Sequence, residues 1–375
     1  MSLPKHVLVL GMDERSLINF RKPLLEALLR KGCKVTTAAL PVPPFILNAL
    51  QEMGIDFVEV PISRGRMNPF ADIKSVLALA RLFRRLRPDI IIGYSPKPVI
   101  YGALACRLAG VGRFCGMITG LGFAFIDGAD VKRRVAQYIS KALYRVALRQ
   151  CSSIIFHNHD DREAFQAMGL LPQHVRVGIV NGSGVDLQQF TRTPLPQEPI
   201  FIMVSRLLAD KGVREYAEAC RLLRNVIPGA RTMLLGSLDP SPSSLGQAEL
   251  DALVAGGMEY LGFAEDVRPA LAAASVVVLP SYREGMPRSI LEGLAMGRPV
   301  ITCDVAGCRE TVTNGENGLI VPPRDPHALY EAMFKLGSSP VMRAQMGAKS
   351  RRLAVSKFDA HSVALETLAL VDPDL

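Results

Sequence analysis

Tryptophan is absent from the 375 residues, and aromatic residues together make up 6%. Single-stranded nucleic acid is commonly held by stacking aromatics, and the basic clusters of this chain are not interleaved with any; no nucleic-acid motif is present either. Cysteine is scarce: seven residues at positions 33, 106, 115, 151, 220, 303 and 308, odd in number, with no C-x-x-C. That pattern indicates neither a disulfide framework nor a zinc site, and buried, reduced thiols are expected. The longest uncharged apolar stretches, such as Met117–Ile126 and Ser275–Pro280, fall far short of the roughly 18 residues of a membrane span. The chain enters a strand-like run at His6–Leu10 without a secretory apolar region, so a cytoplasmic location is expected. No G-x-G-x-x-G follows that first run, which disfavours a nicotinamide or flavin enzyme.

What is present is ordinary globular material, 49% hydrophobic and 21% charged, enough for two to three domains of about 150 residues. The net charge of +9 is unevenly spread. Residues 1–190 hold 25 Lys and Arg against 14 Asp and Glu, and residues 191–375 hold 19 against 21. An anionic partner is therefore expected at the first half: a membrane face, a phosphorylated ligand or nucleic acid. Short Val/Ile-rich runs alternate with segments of helical period, such as Ser16–Lys31, Ile73–Leu86, Val99–Leu108 and Val131–Gln150. Apolar strands alternating with helices imply a doubly wound parallel sheet. The pattern breaks over Asn181–Pro199, where turn residues cluster, and then restarts. We read domains at 1–185 and 199–358 and a terminal segment at 359–375. Ligands of such sheets bind in the loops beyond the carboxyl ends of the strands.

The densest such loop follows the run Ser275–Pro280. It reads Ser281-Tyr282-Arg283-Glu284-Gly285-Met286-Pro287-Arg288-Ser289 and leads into a helix expected at Ile290–Met296, with Pro287 suited to a first helical position. A helix N-terminus there offers amides and a positive dipole end to an anion. Glu284 precedes this terminus and Glu292 lies on the order of 8 Å beyond Pro287, along the helix. Acids on both sides of an anion site suit hydroxyls on both sides of a phosphate, the layout of a nucleotide-sugar. A second loop, after Ile202-Met203-Val204, carries Ser205, Arg206 and Lys211, whose cations offset the charge of a diphosphate.

With these residues in place, the chain resembles glycosyltransferase family 4, of GT-B fold. The motifs are GSGVD (182–186), VSRLLADKGV (204–213), YLGFAEDV (260–267), LPSYREGMPRSILEGLAMGRPVI (279–301) and NGENGLIVPPRD (314–325). In the first half, NFRKPLLEALLRKG (19–32), SPKPVIYGALACRLAG (95–110) and ITGLG (118–122) resemble bacterial transferases, notably N-acetylgalactosaminyltransferases, that extend undecaprenyl-diphosphate-linked sugars. The resemblance implies two Rossmann-like domains facing a cleft, with the last helix crossing back to the first domain. It implies Arg206 and Lys211 on the diphosphate, Glu292 on the ribose and Glu284 beside the donor sugar, catalytic in the broad sense. Gly285, Met286, Arg288 and Ser289 would form the turn that grips sugar and β-phosphate, with Ser205 beside them, and Leu261 and Phe263 would seat the base. Gly11 opens the loop where many relatives carry Gly-Gly, and Thr119 stands near where relatives place a histidine; both are expected on the substrate side. The implied reaction is metal-independent transfer, with retention, of a hexose or N-acetylhexosamine from a UDP-sugar to a lipid-linked saccharide, on the inner membrane face. Pro287 departs from the pattern, since it lacks the N–H of one donor.

Three other features have simpler readings. Asp372-Pro373-Asp374 spells D-x-D but follows a helix, so no metal site is expected. His157, His159 and Asp160 are read as the start of a helix rather than a ligand cluster. The segment Val131–Gln150 holds Lys132, Arg133, Arg134, Lys141, Arg145 and Arg149 and no acid, with an apolar stripe of Val135, Tyr138, Ile139, Ala142, Leu143 and Val146 that is expected mostly in the core. With Arg81, Arg84, Arg85 and Arg87, its cations suit anionic lipid headgroups at about 1 kcal/mol each. Rival readings are a GT-B epimerase that hydrolyses a nucleotide-sugar and an inactive transferase-like scaffold.

Overall fold

A computed structural model describes residues 4–60, 62, 69–121, 131–241 and 243–375; the side chains of residues 14, 69, 131–133 and 136 lie outside the description. Gly122 of the ITGLG motif and the side chains of Lys132 and Arg133 are thus outside the described residues. The chain divides into two units, residues 1–183 with 360–375, and residues 184–359.

In the first unit, seven strands among the described residues form one sheet: β1 (His6–Leu10), β2 (Lys34–Ala39), β3 (Asp56–Glu59), β4 (Ile90–Tyr94), β5 (Arg113–Ile118), β6 (Ser153–Phe156) and β7 (Arg176–Ile179). Their order is β3-β2-β1-β4-β5-β6-β7, all parallel, with Leu8 of β1 level with Thr36 of β2 and Ile91 of β4. Both faces of the strands are apolar because both are covered. Leu8, Leu10, Ile91, Phe114 and Ile154 share one core with Phe83, Val99, Tyr144 and Leu148, from helices Pro69–Leu86, Pro96–Ala109 and Val131–Leu148. Val7, Val9, Ile90, Ile92 and Ile155 share the other with Leu25, Leu50 and Leu368, from helices Lys22–Arg30, Pro44–Glu52 and Ala360–Val371. Each fully buried aliphatic or aromatic side chain contributes about 1.5–3 kcal/mol.

The helical period over 16–31 is carried by two helices, Glu14–Asn19 and Lys22–Arg30. Pro23 cannot donate to the carbonyl four residues back, so the first helix ends, with Phe20 and Arg21 both donating to the Ser16 carbonyl. The stripe of helix Val131–Leu148 also departs from expectation. Val135, Tyr138, Ile139 and Val146 are exposed, and the core face is Tyr144, Ala147 and Leu148, with Leu143 half-buried. An apolar stripe at helical spacing tells which residues share a face, not which face meets the sheet.

The second unit repeats the architecture with β8 (Ile200–Val204), β9 (Arg231–Leu235), β10 (Glu259–Tyr260), β11 (Val276–Leu279), β12 (Val300–Cys303) and β13 (Gly318–Val321). The order is β10-β9-β8-β11-β12-β13, again parallel. Residues 186–198, which lack periodicity, belong to this unit. The fully buried Arg298 guanidinium donates to the carbonyls of Leu271, Ala272, Thr193, Pro194 and Met296, and to Thr193 Oγ1. Arg351 adds Phe190 and Ala295, and Arg343 adds Gln197. The order of both sheets reverses beside the first strand of each, at β1–β4 and at β8–β11, which opens a crevice beyond the carboxyl ends there.

Candidate active site

The loops after β8 and β11 lie at the switch point of the second sheet, on adjacent strands. They are stitched together: the Tyr282 amide donates to the Asp210 carbonyl at 2.9 Å, and Tyr282 Oη donates to Glu215 Oε1 at 2.6 Å. Gly212 has φ +74°, and a Cβ there would strike the Pro280 carbonyl, so glycine is required for the two loops to touch. This closeness brings Lys211 Nζ to 2.5 Å from Glu284 Oε1, which also accepts from Ser281 Oγ at 2.8 Å. The Lys211 and Glu284 side chains are 16% and 14% exposed, so their attraction is less screened by water and salt than that of a surface pair. The Glu284 amide donates to the Ala306 carbonyl at 3.0 Å. Gly307, at φ +75°, lies so close that a Cβ would sit 2.6 Å from the carbonyls of Glu284 and Gly285. The strand-to-loop turn after β12 therefore braces the acid's backbone.

Arg206 is reached differently. Its guanidinium bonds Asp239 Oδ2 at 3.0 Å while its side chain stays 62% exposed, so it can exchange this partner for an incoming anion at small cost. Ser205 lies beside it, its hydroxyl on the Arg206 carbonyl at 3.1 Å. Leu261 and Phe263, in the loop after β10, are 42% and 58% exposed, two apolar side chains open to a flat ring.

The helix after the β11 loop runs Arg288–Ala295, and Pro287 is its N-cap (φ −75°, ψ 110°), not its first helical residue. The Pro287 carbonyl takes the amides of Ile290 and Leu291, so the amides of Arg288 and Ser289 lie ahead of the first intrahelical bond. Proline at the cap still lacks an N–H, so the donors of that turn are the amides of Arg288 and Ser289, and Gly285 and Met286 lead directly into it. One turn on, Glu292 is 8% exposed. Arg288 bridges Glu292 Oε1 (3.0 Å) and the Gly184 carbonyl (2.8 Å). Burial holds the Glu292 carboxyl above the ordinary glutamate range, against the opposing pull of Arg288. The structure thus gathers Ser205, Arg206, Lys211, Glu284, Gly285, Met286, Arg288, Ser289 and Glu292 on two neighbouring loops and one helix start. Ser281, Asp239 and Gly307 complete the cluster without having been singled out in sequence. Ser281 lies in the same loop and could have been found there; Asp239 and Gly307 give no local signal.

Gly11 and Thr119 belong to the first unit, at the carboxyl ends of β1 and β5. Gly11 is packed so tightly on Tyr94 that any side chain would displace the phenol. His157 is buried and its pKa is lowered to about 3 by burial and by Arg21, so the ring is neutral. Asn158 caps helix His159–Ala167 through the Asp161 amide, so this histidine cluster is a helix start. The D-x-D of the C-terminus is also structural: Asp372 is buried and takes Lys5 and Arg113. Among the described residues no group of three His, Cys, Asp or Glu is placed to hold a metal ion. All seven cysteines are buried.

Two parallel-sheet units of this topology, the second with a cationic, acid-flanked switch point, define a GT-B glycosyltransferase architecture. Residues 7–158 match the family model described as glycosyl transferase 4-like, and residues 198–339 match the one described as glycosyl transferases group 1. The chain belongs to this glycosyltransferase family. Its fold is similar to that of sucrose-phosphate synthase from Thermosynechococcus elongatus (TM-score 0.78, 20% identity, 98% of each chain) and of Anabaena HepE in complex with UDP (TM-score 0.75, 17% identity, 98% of this chain and 100% of that one). In sequence it is similar to the N,N'-diacetylbacillosaminyl-diphospho-undecaprenol alpha-1,3-N-acetylgalactosaminyltransferase of Campylobacter jejuni, 27% identical over 95% of this chain and 96% of that protein. It is also similar to the Escherichia coli UDP-Gal:alpha-D-GlcNAc-diphosphoundecaprenol alpha-1,3-galactosyltransferase, 28% identical over 80% of this chain and 79% of that one.

Proposed function

We propose that this protein transfers a hexose or N-acetylhexosamine, with retention, from a UDP-sugar to an undecaprenyl-diphosphate-linked saccharide during surface glycan assembly. The observation that carries the reading is the placement of Arg206, Lys211 and the Arg288–Ser289 helix start on adjacent loops at the switch point of the second sheet, with Glu284 before that helix start and Glu292 one turn into it. In this reading the diphosphate lies against the two cations and the helix start. Glu292 accepts from the ribose hydroxyls, Glu284 from the sugar, and the base rests on Leu261 and Phe263. The acceptor oxygen bonds to the anomeric carbon on the face from which the β-phosphate leaves, and the acceptor's proton passes to that phosphate. Lys211 and Arg206 stabilise the leaving charge, a task that in this reading needs no metal ion. The lipid-linked acceptor and the sugar class are supported by the names of the two sequence relatives, both of which act on undecaprenyl-diphosphate-linked sugars. Association with an anionic membrane face is supported by the basic excess of residues 1–190. No helix among the described residues is long and apolar enough to cross a membrane.

The test is transfer from a panel of UDP-sugars to a lipid-diphosphate saccharide in the presence of EDTA, with the anomer of the product read by NMR. An α-linked product from an α-linked donor is expected. Donor hydrolysis without transfer would replace this reading with the epimerase class, and complete inactivity with the scaffold.

A further inference from the structure

Helix Pro69–Leu86 turns Leu79, Ala80, Leu82 and Phe83 into the core of the first unit. The opposite side carries Phe70 (81% exposed), Ile73 (59%) and Leu77, then Arg81, Arg84 and Arg85. The steps of three and four place these on one line along the helix. Helix Val131–Leu148 repeats the arrangement. Tyr138 (77% exposed), Val135, Ile139 and Val146 form its outer line, with Arg134 and Arg145 exposed beside them and no acid anywhere in the helix. Both helices pack against Pro96–Ala109, one on each side, so the two lines lie on one face, about two helix spacings or roughly 20 Å apart.

The direction of the chain orients these lines. Helix Pro69–Leu86 ends a few residues before β4 begins, and Val131–Leu148 ends a few residues before β6 begins. In a parallel sheet their last turns therefore lie at the amino edge and their first turns at the carboxyl edge. Phe70, Ile73, Val135, Tyr138 and Ile139 all sit in the first halves, beside the sheet edge that carries Gly11 and Thr119. The arginines of Pro69–Leu86 sit in its last turn and a half. Soluble proteins scatter exposed large apolar residues singly; two parallel lines ending in cations are a different pattern.

We propose that these two helix faces form a wedge that enters an anionic bilayer, with Phe70, Ile73, Val135, Tyr138 and Ile139 at the acyl boundary and the arginines among the headgroup phosphates. The proposal rests on the membrane-association reading and deepens it. Charge alone would hold the protein at the lipid surface, whereas the wedge sinks one edge into it and presents the carboxyl edge of the first sheet at headgroup depth. A bilayer fits because it supplies apolar interior and anionic rim together, in the order in which the helix lines present them.

The absence of tryptophan makes the test direct. Phe70→Trp, Tyr138→Trp and, as a control in the second unit, Val341→Trp (66% exposed) each create a single-tryptophan protein. They are mixed with phosphatidylglycerol vesicles carrying brominated acyl chains, at low salt and at about 0.5 M salt, where screening leaves a Debye length of a few Å. The proposal predicts blue-shifted, bromine-quenched emission at positions 70 and 138 at both salt concentrations, and unquenched emission at 341. It also predicts that the triple variant Phe70→Ser/Ile73→Ser/Tyr138→Ser melts with the wild type and binds vesicles at low salt only. Vesicle binding without quenching at 70 and 138, or wild-type binding wholly lost at high salt, overturns the wedge and leaves charge-driven association. Absence of binding to any vesicle overturns both readings. A dimer that the triple variant converts to monomer, without vesicle binding, would assign the face to a second copy instead.

Discussion

Replacing Glu292 by glutamine separates a binding role from a structural one, because the two predict opposite changes. The side chain is 8% exposed and paired to Arg288 at 3.0 Å, yet burial raises its pKa despite that partner. A carboxyl whose folded pKa is raised stabilises the protein fully below its unfolded value, near 4.3, and loses that contribution as pH rises through the folded value. At neutral pH the ionised group therefore costs stability, and the isosteric amide removes the cost. The variant is expected to melt at or above the wild-type temperature at pH 7.5, with the difference narrowing toward pH 5. Roughly 2–4 °C corresponds to each kcal/mol in a unit of this size. Affinity moves the other way. Hydrogen bonds to a charged acceptor contribute about 1.5–3 kcal/mol each, and an amide keeps one uncharged acceptor for two ribose hydroxyls. A loss of about 3 kcal/mol, or about a hundredfold in Kd for UDP, follows. Differential scanning calorimetry at the two pH values and titration calorimetry with UDP measure both. A variant that melts several degrees lower at pH 7.5 and binds UDP as well as the wild type would refute the reasoning and make Glu292 a structural acid.

Three further outcomes are expected. Lys211→Met removes the cation that the proposed reaction sets at the leaving group and leaves Glu284 with Ser281, so kcat should fall by about a hundredfold or more while the fold survives; unchanged kcat in a steady-state assay would remove Lys211 from the reaction. Gly307→Ala forces a methyl against the Glu284 and Gly285 carbonyls from a left-handed backbone, at a cost of at least about 1–2 kcal/mol, and should displace the Glu284 loop; unchanged UDP affinity would show that the turn after β12 does not brace it. Asp372→Asn weakens the contacts of Lys5 and Arg113 that tie the C-terminus to the first unit and should lower its melting temperature by the equivalent of about 2 kcal/mol, with UDP binding intact; a loss of UDP affinity would contradict the structural assignment of D-x-D.

The strands were readable from the sequence because buried parallel strands are apolar on both faces, as Ile90-Ile91-Ile92 illustrates. The two loops of the candidate site were readable because glycine, proline and charge cluster directly after such strands. Less was visible where tertiary packing decides. The period across Ser16–Lys31 looks continuous until Pro23 meets a carbonyl, and the stripe of Val131–Leu148 identifies a face without saying whether sheet or solvent covers it. Asp239 as the partner of Arg206, and Gly307 as the brace of Glu284, join residues 33 and 23 positions apart, and nothing local announces either. The helix starts two residues earlier than its period suggests, at Arg288, because Pro287 serves as cap, and the Arg288 and Ser289 amides fall in its first turn.

The central claim is that the second unit holds a uridine nucleotide at its switch point without a metal. The most direct test is a thermal-shift comparison of UDP, GDP, ADP and dTDP in EDTA. UDP at 100 times its Kd should add about 2.7 kcal/mol and raise the melting temperature, the other nucleotides should not, and Glu292→Gln should cut the gain at that concentration to about 0.4 kcal/mol. A shift that needs a divalent cation, or no shift with any nucleotide, would contradict the account.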